Sequence, residues 1–342
     1  MKLKWKDASL WMWLLLFLCF AAGCLGLGMG EENQKKDVTE EIGESEDSFK
    51  IVTSFYPLYT MVINLAEGAK GVEIDNMAEP QTGCLHDYQL RPGDILCLED
   101  ADVFLANGGG MEEFLEDVFA ARPDLEMLYA LDGVDEEMLL ENGGHDHETE
   151  HAHEEEHDHE EGYAHEEEHF HEEAFNPHTW LHPILYKEEI RYLALELGRK
   201  NPENKEVYDR NRMRYEEKID ALMSEYEEIK KKSNKKGCVL LHESFAYLAD
   251  YCGFPVTASM DVEKDSGFSA REIRDLIEEV EERGGGILIS DSQYTGRISG
   301  LLSAETGMEV HQLDACVSGE YDKDAWLNSM RKNLEELKNA AD

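Results

Sequence analysis

The sequence predicts an α/β protein of two lobes, each a mainly parallel sheet flanked by helices, joined by one long rigid helix. Three observations carry that expectation. From Lys50 onward, short β-branched runs alternate with amphipathic stretches, the rhythm of a parallel sheet with crossover helices. A stretch from Pro202 to Lys232, without glycine or further proline, breaks the rhythm. The alternation then resumes at Cys238 and continues almost to the C-terminus.

In the first half, Lys50–Phe55 reads as a strand, and Pro57 opens an amphipathic helix through Leu65. Gly71–Met77 is a second strand. Arg91-Pro92-Gly93-Asp94 starts a helix to about Ala101. Asp102–Ala106 is a strand that ends in Asn107-Gly108-Gly109-Gly110, and a helix begins at Met111. Met127–Leu131 is another strand, and a helix runs from Pro183 to about Leu197. Asn201-Pro202 supplies an N-cap and a proline at the first helical position. Beyond it Tyr208, Tyr215, Ile219, Leu222, Tyr226 and Ile229 recur at helical spacing as one apolar stripe. At 1.5 Å per residue that helix is on the order of 45 Å long, suited to bracing two lobes. The second half reads as strand Cys238–Leu241, helix Phe245–Tyr251, strand Val256–Met260, helix Ala270–Glu282, strand Ile287–Ser290, strand Met308–Leu313 and a terminal helix carrying Trp326, Leu327, Met330, Leu334 and Leu337.

The chain has 342 residues and a formal net charge of -44. That balance argues against nucleic acid, whose phosphates need clustered Lys and Arg, and it suits a cationic ligand or simple solubility. The first residues read as an export signal: Lys2, Lys4 and Lys6, an apolar run from Leu10 to Ala22 too short to span a bilayer, then Ala21-Ala22-Gly23-Cys24. The last four resemble a bacterial lipobox, with Ala21 standing where a larger aliphatic residue is usual. Cys24 is the expected lipidation site, and residues 24–48 the expected disordered tether to an extracytoplasmic body. There is no Cys-x-x-Cys pair. Cys84, Cys97, Cys238, Cys252 and Cys316 lie beyond the signal, and in an oxidising space some of them could pair. Cys84, two residues before His86, is a candidate accessory metal ligand.

The expected organisation is therefore a signal peptide at 1–23, a tether at 24–48, a first lobe at 49–200, a linking helix at 201–232 and a second lobe at 233–342. The first lobe is interrupted by a tract at 143–173 that is almost wholly His, Glu and Asp. It is too polar to pack a core and is expected to be disordered. Its His145, His147, His151, His153, His157, His159, His165, His169 and His171 are candidate low-affinity metal ligands.

Outside the tract stand His86, His178, His182, His242 and His311. His86 comes after a strand and loop, His178 precedes a helix, His242 ends a strand and Asp291 ends another. Ligands of open α/β sheets bind beyond the carboxyl ends of strands, so His86, His178, His242 and Asp291 could meet in the cleft between lobes. Three imidazoles and a carboxylate suit a tetrahedral Zn2+. His182 reads as a helix-start residue and His311 as structural. No catalytic pairing stands out, and the triple-glycine runs lack the lysine of a phosphate loop, so neither an enzyme nor a nucleotide binder is expected.

Several segments, in order, carry a resemblance: Thr53–Leu58, Leu85–Asp94, Asn176-Pro177-His178-Thr179-Trp180-Leu181, His242–Leu248, Leu288–Gln293 and Glu305-Thr306-Gly307. With them the chain resembles the metal-binding substrate-binding proteins of ABC transporters, and within these the ZnuA-like zinc subgroup. The resemblance covers Ile51 to the C-terminus. It implies metal in the inter-lobe cleft, held by His86, His178 and His242 with an acidic place on Asp291, and a His-rich acidic loop near the entrance. It also implies an ABC permease and its ATPase as partners, a lipid-anchored monomer at the outer face of the membrane, and Zn2+ as the cargo. Manganese and iron relatives carry a carboxylate where His242 stands; Glu243 is adjacent. Asn176 departs from the family's usual Asp. A surface metal buffer or adhesin of the same fold, without a transporter, is the alternative from another class.

Overall fold

The computed structural model describes residues 48–80, 84–85, 88–141, 175–233, 236–260, 270–293 and 296–341. The expected signal peptide, Cys24, most of the tether, His86 and the whole His/Glu tract lie outside them.

The first half builds strand β1 (Phe49–Thr53), helix α1 (Tyr56–Leu65), β2 (Val72–Asn76), α2 (Pro92–Cys97), β3 (Val103–Ala106), α3 (Glu116–Ala121) and β4 (Glu126–Tyr129). Two helices come next: α4 (Pro183–Lys200), and α5 (Lys205–Lys232), which is entered through a tight turn at Pro202–Asn204. The second half builds β5 (Gly237–Leu240), α6 (Ala246–Cys252), β6 (Val256–Ser259), α7 (Ala270–Arg283), β7 (Gly286–Asp291), α8 (Arg297–Thr306), β8 (Glu309–Leu313) and α9 (Ala325–Ala341).

The strands form two four-stranded sheets in the same order, β2-β1-β3-β4 and β6-β5-β7-β8, and every pairing is parallel. Both faces of each central strand are buried, which is why these runs are continuously apolar. Ile51, Val103 and Leu105 face the main core, whereas Val52, Phe104 and Ala106 face a separate cluster on the other side. In the second sheet Cys238, Leu240, Ile287 and Ile289 face the main core, and Val239, Leu241 and Leu288 face away from it.

The main core is continuous across both halves because α5 contributes to it along its length. The stripe predicted from the sequence is the buried one: Tyr208, Tyr215, Ile219, Leu222, Tyr226 and Ile229, joined by Asn211. Each of the apolar members stabilises the junction by about 1.5–3 kcal/mol through burial. Polar ties across the halves supplement this. Trp180 Nε1 donates to the Ala315 carbonyl (2.9 Å) and Trp326 Nε1 donates to the Trp180 carbonyl (2.9 Å). The Tyr186 and Trp326 rings stack with centroids 4.1 Å apart. Tyr56 Oη donates to the Glu320 carbonyl (2.6 Å), and Asn64 Nδ2 donates to that of Lys323 (2.8 Å).

Three elements depart from the sequence expectation. Helix α2 stops at Cys97 rather than near Ala101, because the chain tightens into Leu98–Ile95 and Glu99–Leu96 turn bonds (both 3.2 Å) to reach β3. The helix expected from Met111 opens as a tight turn at Glu113–Leu115 and becomes α-helical only at Glu116, since Glu112 is drawn inward. Helix α8 has no counterpart in the sequence expectation. Gly300 in its middle weakens its signal, yet Gly307, at φ 71°, is a left-handed helix stop. None of Cys84, Cys97, Cys238, Cys252 and Cys316 forms a disulfide with another of the five.

Candidate metal centre

His178 is set by the chain on either side of it. It precedes the tight turn Thr179–Leu181, where Trp180 and Leu181 are fully buried, and it is itself 0% exposed. Asn107, just past β3, donates from Nδ2 to the Pro177 carbonyl (2.9 Å) and ties this segment to the first sheet. Asn107 is held in turn by Glu112, whose carboxylate accepts from Asn107 N (2.8 Å), Gly108 N (3.1 Å) and Ser54 Oγ (2.7 Å). Complete burial pushes the Glu112 carboxyl upward, and those three donors oppose the shift. Gly108, Gly109 and Gly110 all have positive φ, a run that lets the backbone wrap a buried carboxylate.

The imidazole of His178 is oriented by Asn176. Nδ1–H donates to Asn176 Oδ1 (2.8 Å), which also accepts the His178 amide (3.0 Å). The ring proton is thereby fixed on Nδ1 and the lone pair on Nε2, the arrangement outer-sphere partners impose on metal-binding histidines. The same Asn176 donates from Nδ2 to the Glu243 carbonyl (3.1 Å), one residue beyond His242. One side chain therefore registers both histidine segments. Tyr247, on α6, reinforces it: its Oη donates to the Asn176 carbonyl (2.8 Å) and accepts from Leu140 N (3.0 Å).

His242 comes from the second half, two residues past β5, and is buried. Its Nδ1 accepts the Ser244 amide (2.9 Å), which orients the ring. The Ser244 hydroxyl makes no hydrogen bond to this imidazole, and no nucleophile–base pair is formed. The rings of His178 and His242 meet edge to face with centroids 5.4 Å apart. A third donor joins them. Cys84 Sγ lies 3.4 Å from His178 Nε2, and the donor atoms of Cys84, His178 and His242 all lie within 4.8 Å of one another.

Other candidate residues fall elsewhere. Asp291 ends β7, the strand next to β5, so it shares the carboxyl edge from which His242 emerges. It is buried, its Oδ1 accepts the Gln293 amide (2.8 Å), and it is not within that group of three. His86 and the tract histidines are outside the described residues. His182 caps α4, its Nδ1 accepting the Ile184 amide (3.3 Å); burial, then Lys230, pushes it down to about 4. His311 sits on β8 with Nδ1 2.9 Å from Glu336. Both are structural, as the sequence suggested. Sequence reasoning assigned no role to Asn107, Glu112 or Tyr247. Only the Asn-Gly-Gly-Gly run hinted at the first two.

Two buried histidines from opposite halves thus converge. The family model "Zinc-uptake complex component A periplasmic" matches residues 51–340. The chain belongs to that zinc-uptake component family. Among its relatives, the high-affinity zinc uptake system protein ZnuA of Bacillus subtilis (strain 168) is 27% identical over 96% of this chain and 97% of its own length. The zinc-binding lipoprotein AdcA of Streptococcus pneumoniae (serotype 4, strain TIGR4) is 28% identical over 87% of this chain, which spans only 57% of AdcA. The Ni2+ complex of the substrate-binding protein FpvC from Pseudomonas aeruginosa superposes with a TM-score of 0.69 at 21% identity, covering 86% of this chain and 96% of that one. That likeness establishes the fold. Membership of the zinc-uptake component family also makes the chain a solute-binding component and not an enzyme.

Proposed function

We propose that this protein is the extracytoplasmic zinc-binding component of an ABC importer. It captures Zn2+ and passes it to a membrane permease driven by a separate ATPase. The observation that carries this reading is the buried pair His178–His242, contributed by the two halves and registered by Asn176. Imidazole where a carboxylate could stand shifts preference from Mn2+ toward Zn2+. The near end-to-end match with the Bacillus subtilis zinc uptake protein supports the same cargo.

In this reading His86 and Asp291 complete the coordination around His178 and His242. Cys24 carries the lipid that keeps the monomer at the outer face of the membrane. The lobes at 49–200 and 233–342 flank the helix at 201–232, whose continuous core permits a small tilt rather than a wide hinge. The tract at 143–173 is a weak collector. On either side of it, Glu141 and Phe175 form an antiparallel bridge and Asn176 N, two residues before His178, donates to the Leu140 carbonyl (2.8 Å).

The test is zinc affinity by chelator competition in His86→Ala, His178→Ala, His242→Ala and a deletion of Gly143–Glu173. Each single substitution is expected to weaken the tight site and the deletion to leave it intact. Parent affinity in all three histidine variants would refute the site. Loss of zinc uptake in cells lacking this protein, with the permease intact, separates import from buffering at the surface.

A further inference from the structure

We propose that Cys84 is a ligand of the same metal in place of Asp291, which is not within the three-donor group, and that its sulfur makes the site selective for thiophilic cations such as Zn2+, Cd2+ and Cu+ over Mn2+. The inference rests on the metal-binding reading above and names the class of cation the site takes.

The geometry is that of a shared ion. Sulfur and nitrogen bound to one tetrahedral zinc at about 2.3 and 2.1 Å stand about 3.6 Å apart. Cys84 Sγ and His178 Nε2 are separated by 3.4 Å. Because Asn176 keeps the His178 proton on Nδ1, the Nε2 lone pair faces the thiol, and the S–H donates to it. A cation arriving between them displaces that proton and bonds both atoms, the ordinary coupling of metal capture to proton release. His242 completes a three-donor group in which two members are buried and Cys84 is half-buried.

The other described cysteines show what a structural thiol looks like in this molecule. Cys238 and Cys316 point their sulfurs at the carbonyls of Phe254 and Asp314 (both 3.6 Å), and Cys97 points at that of Asp94 (2.8 Å). Cys238, Cys252 and Cys316 are core side chains whose thiols burial pushes upward, Cys238 to about 12. Cys84 alone among the five faces imidazoles. Its backbone is fixed by Leu85, fully buried, and its side chain packs against the main core. A thiolate beside imidazoles is a soft donor set, whereas Mn2+ favours carboxylate, carbonyl and water.

The experiment uses the purified full chain loaded with one equivalent of Co2+ as a spectroscopic stand-in for Zn2+. The parent should show a near-ultraviolet thiolate-to-Co2+ charge-transfer band together with visible d–d bands. Cys84→Ser should lose the former and keep the latter, and Cys97→Ser should keep both. Competition between Cd2+ and Zn2+ should show the preference for Cd2+ falling at least ~10-fold in Cys84→Ser and in Cys84→Ala. Far-ultraviolet circular dichroism checks that both variants are folded. Co2+ bound to the parent without a charge-transfer band overturns the proposal and leaves the zinc reading standing. An unchanged Cd2+-to-Zn2+ ratio in folded Cys84 variants does the same. Failure of the parent to bind either Co2+ or Zn2+ overturns both.

Discussion

The sheets β2-β1-β3-β4 and β6-β5-β7-β8 share one strand order, all parallel, and in each the order in which strands are added reverses between the two central strands, where an open α/β sheet offers a crevice. The two crevices are used differently. In the first sheet the space beyond β1 and β3 is closed by Glu112, which ties Ser54 to Asn107 and Gly108. In the second sheet the equivalent strand ends present His242 and Asp291. The first half fastens, and its candidate metal donors, Cys84 and His178, lie on connecting segments. The second half supplies its donor directly from the end of a strand. One topology thus serves as a clamp in one copy and as a ligand platform in the other. The difference lies in the residues at the carboxyl end of each central strand.

The strongest way to break this contrast is Glu112→Ala. It strands three buried donors, at about 1–3 kcal/mol each, so the expected loss of folding stability is about 3 kcal/mol or more. Urea unfolding measures it, and an unchanged midpoint would show that Glu112 fastens nothing. His242→Ala should do the reverse, costing zinc affinity with little change in the urea midpoint. If about 10–16 kcal/mol of zinc binding is shared among four ligands, one is worth ~3 kcal/mol, a loss of at least ~100-fold. Chelator competition reads that loss. Asn176→Ala, which releases the His178 ring and the Glu243 carbonyl together, should weaken zinc by about 10–100-fold, the range of an outer-sphere partner. A loss as large as that of His242→Ala would place Asn176 closer to the ion than the structure does.

The smallest expected effect is a slope with pH. Thr179 Oγ1 donates to Glu189, a fully buried carboxyl on α4 that burial pushes up to about 8. Its folded pKa exceeds its unfolded one, so the native state binds the extra proton, and stability is lost as pH rises from about 4.5 through 8. His182 acts in the opposite sense. Its folded value, about 4, lies below the ordinary 6.5, so its contribution is present above 6.5 and is lost as pH falls toward 4. Thermal melts of Glu189→Gln should match the parent near pH 4.5 and exceed it by a few degrees at pH 8.5. Equal midpoints at both pH values would mean that Glu189 does not hold its proton in the fold.

Much of this architecture is legible in the chain itself. Alternating apolar runs specify parallel strands because both faces of such strands are buried, and Ile51–Val52 and Val103–Phe104 show it. The stripe from Tyr208 to Ile229 specifies α5 because only a helix puts those spacings on one face. Helix α8 is not legible in this way, since Gly300 and its short length leave a weak periodic signal. The convergence of His178 and His242 is legible because each stands where a regular element meets a turn.

Periodicity and strand ends, local properties of the chain, were enough to specify the fold class, the bracing helix and the two histidines that meet. They could not decide that Cys84 reaches His178 across 94 positions, or that one Asn176 registers both histidine segments. Those depend on where long connections settle once two sheets share a core. That is a matter of three-dimensional packing, on which the spacing of residues along the chain carries no information.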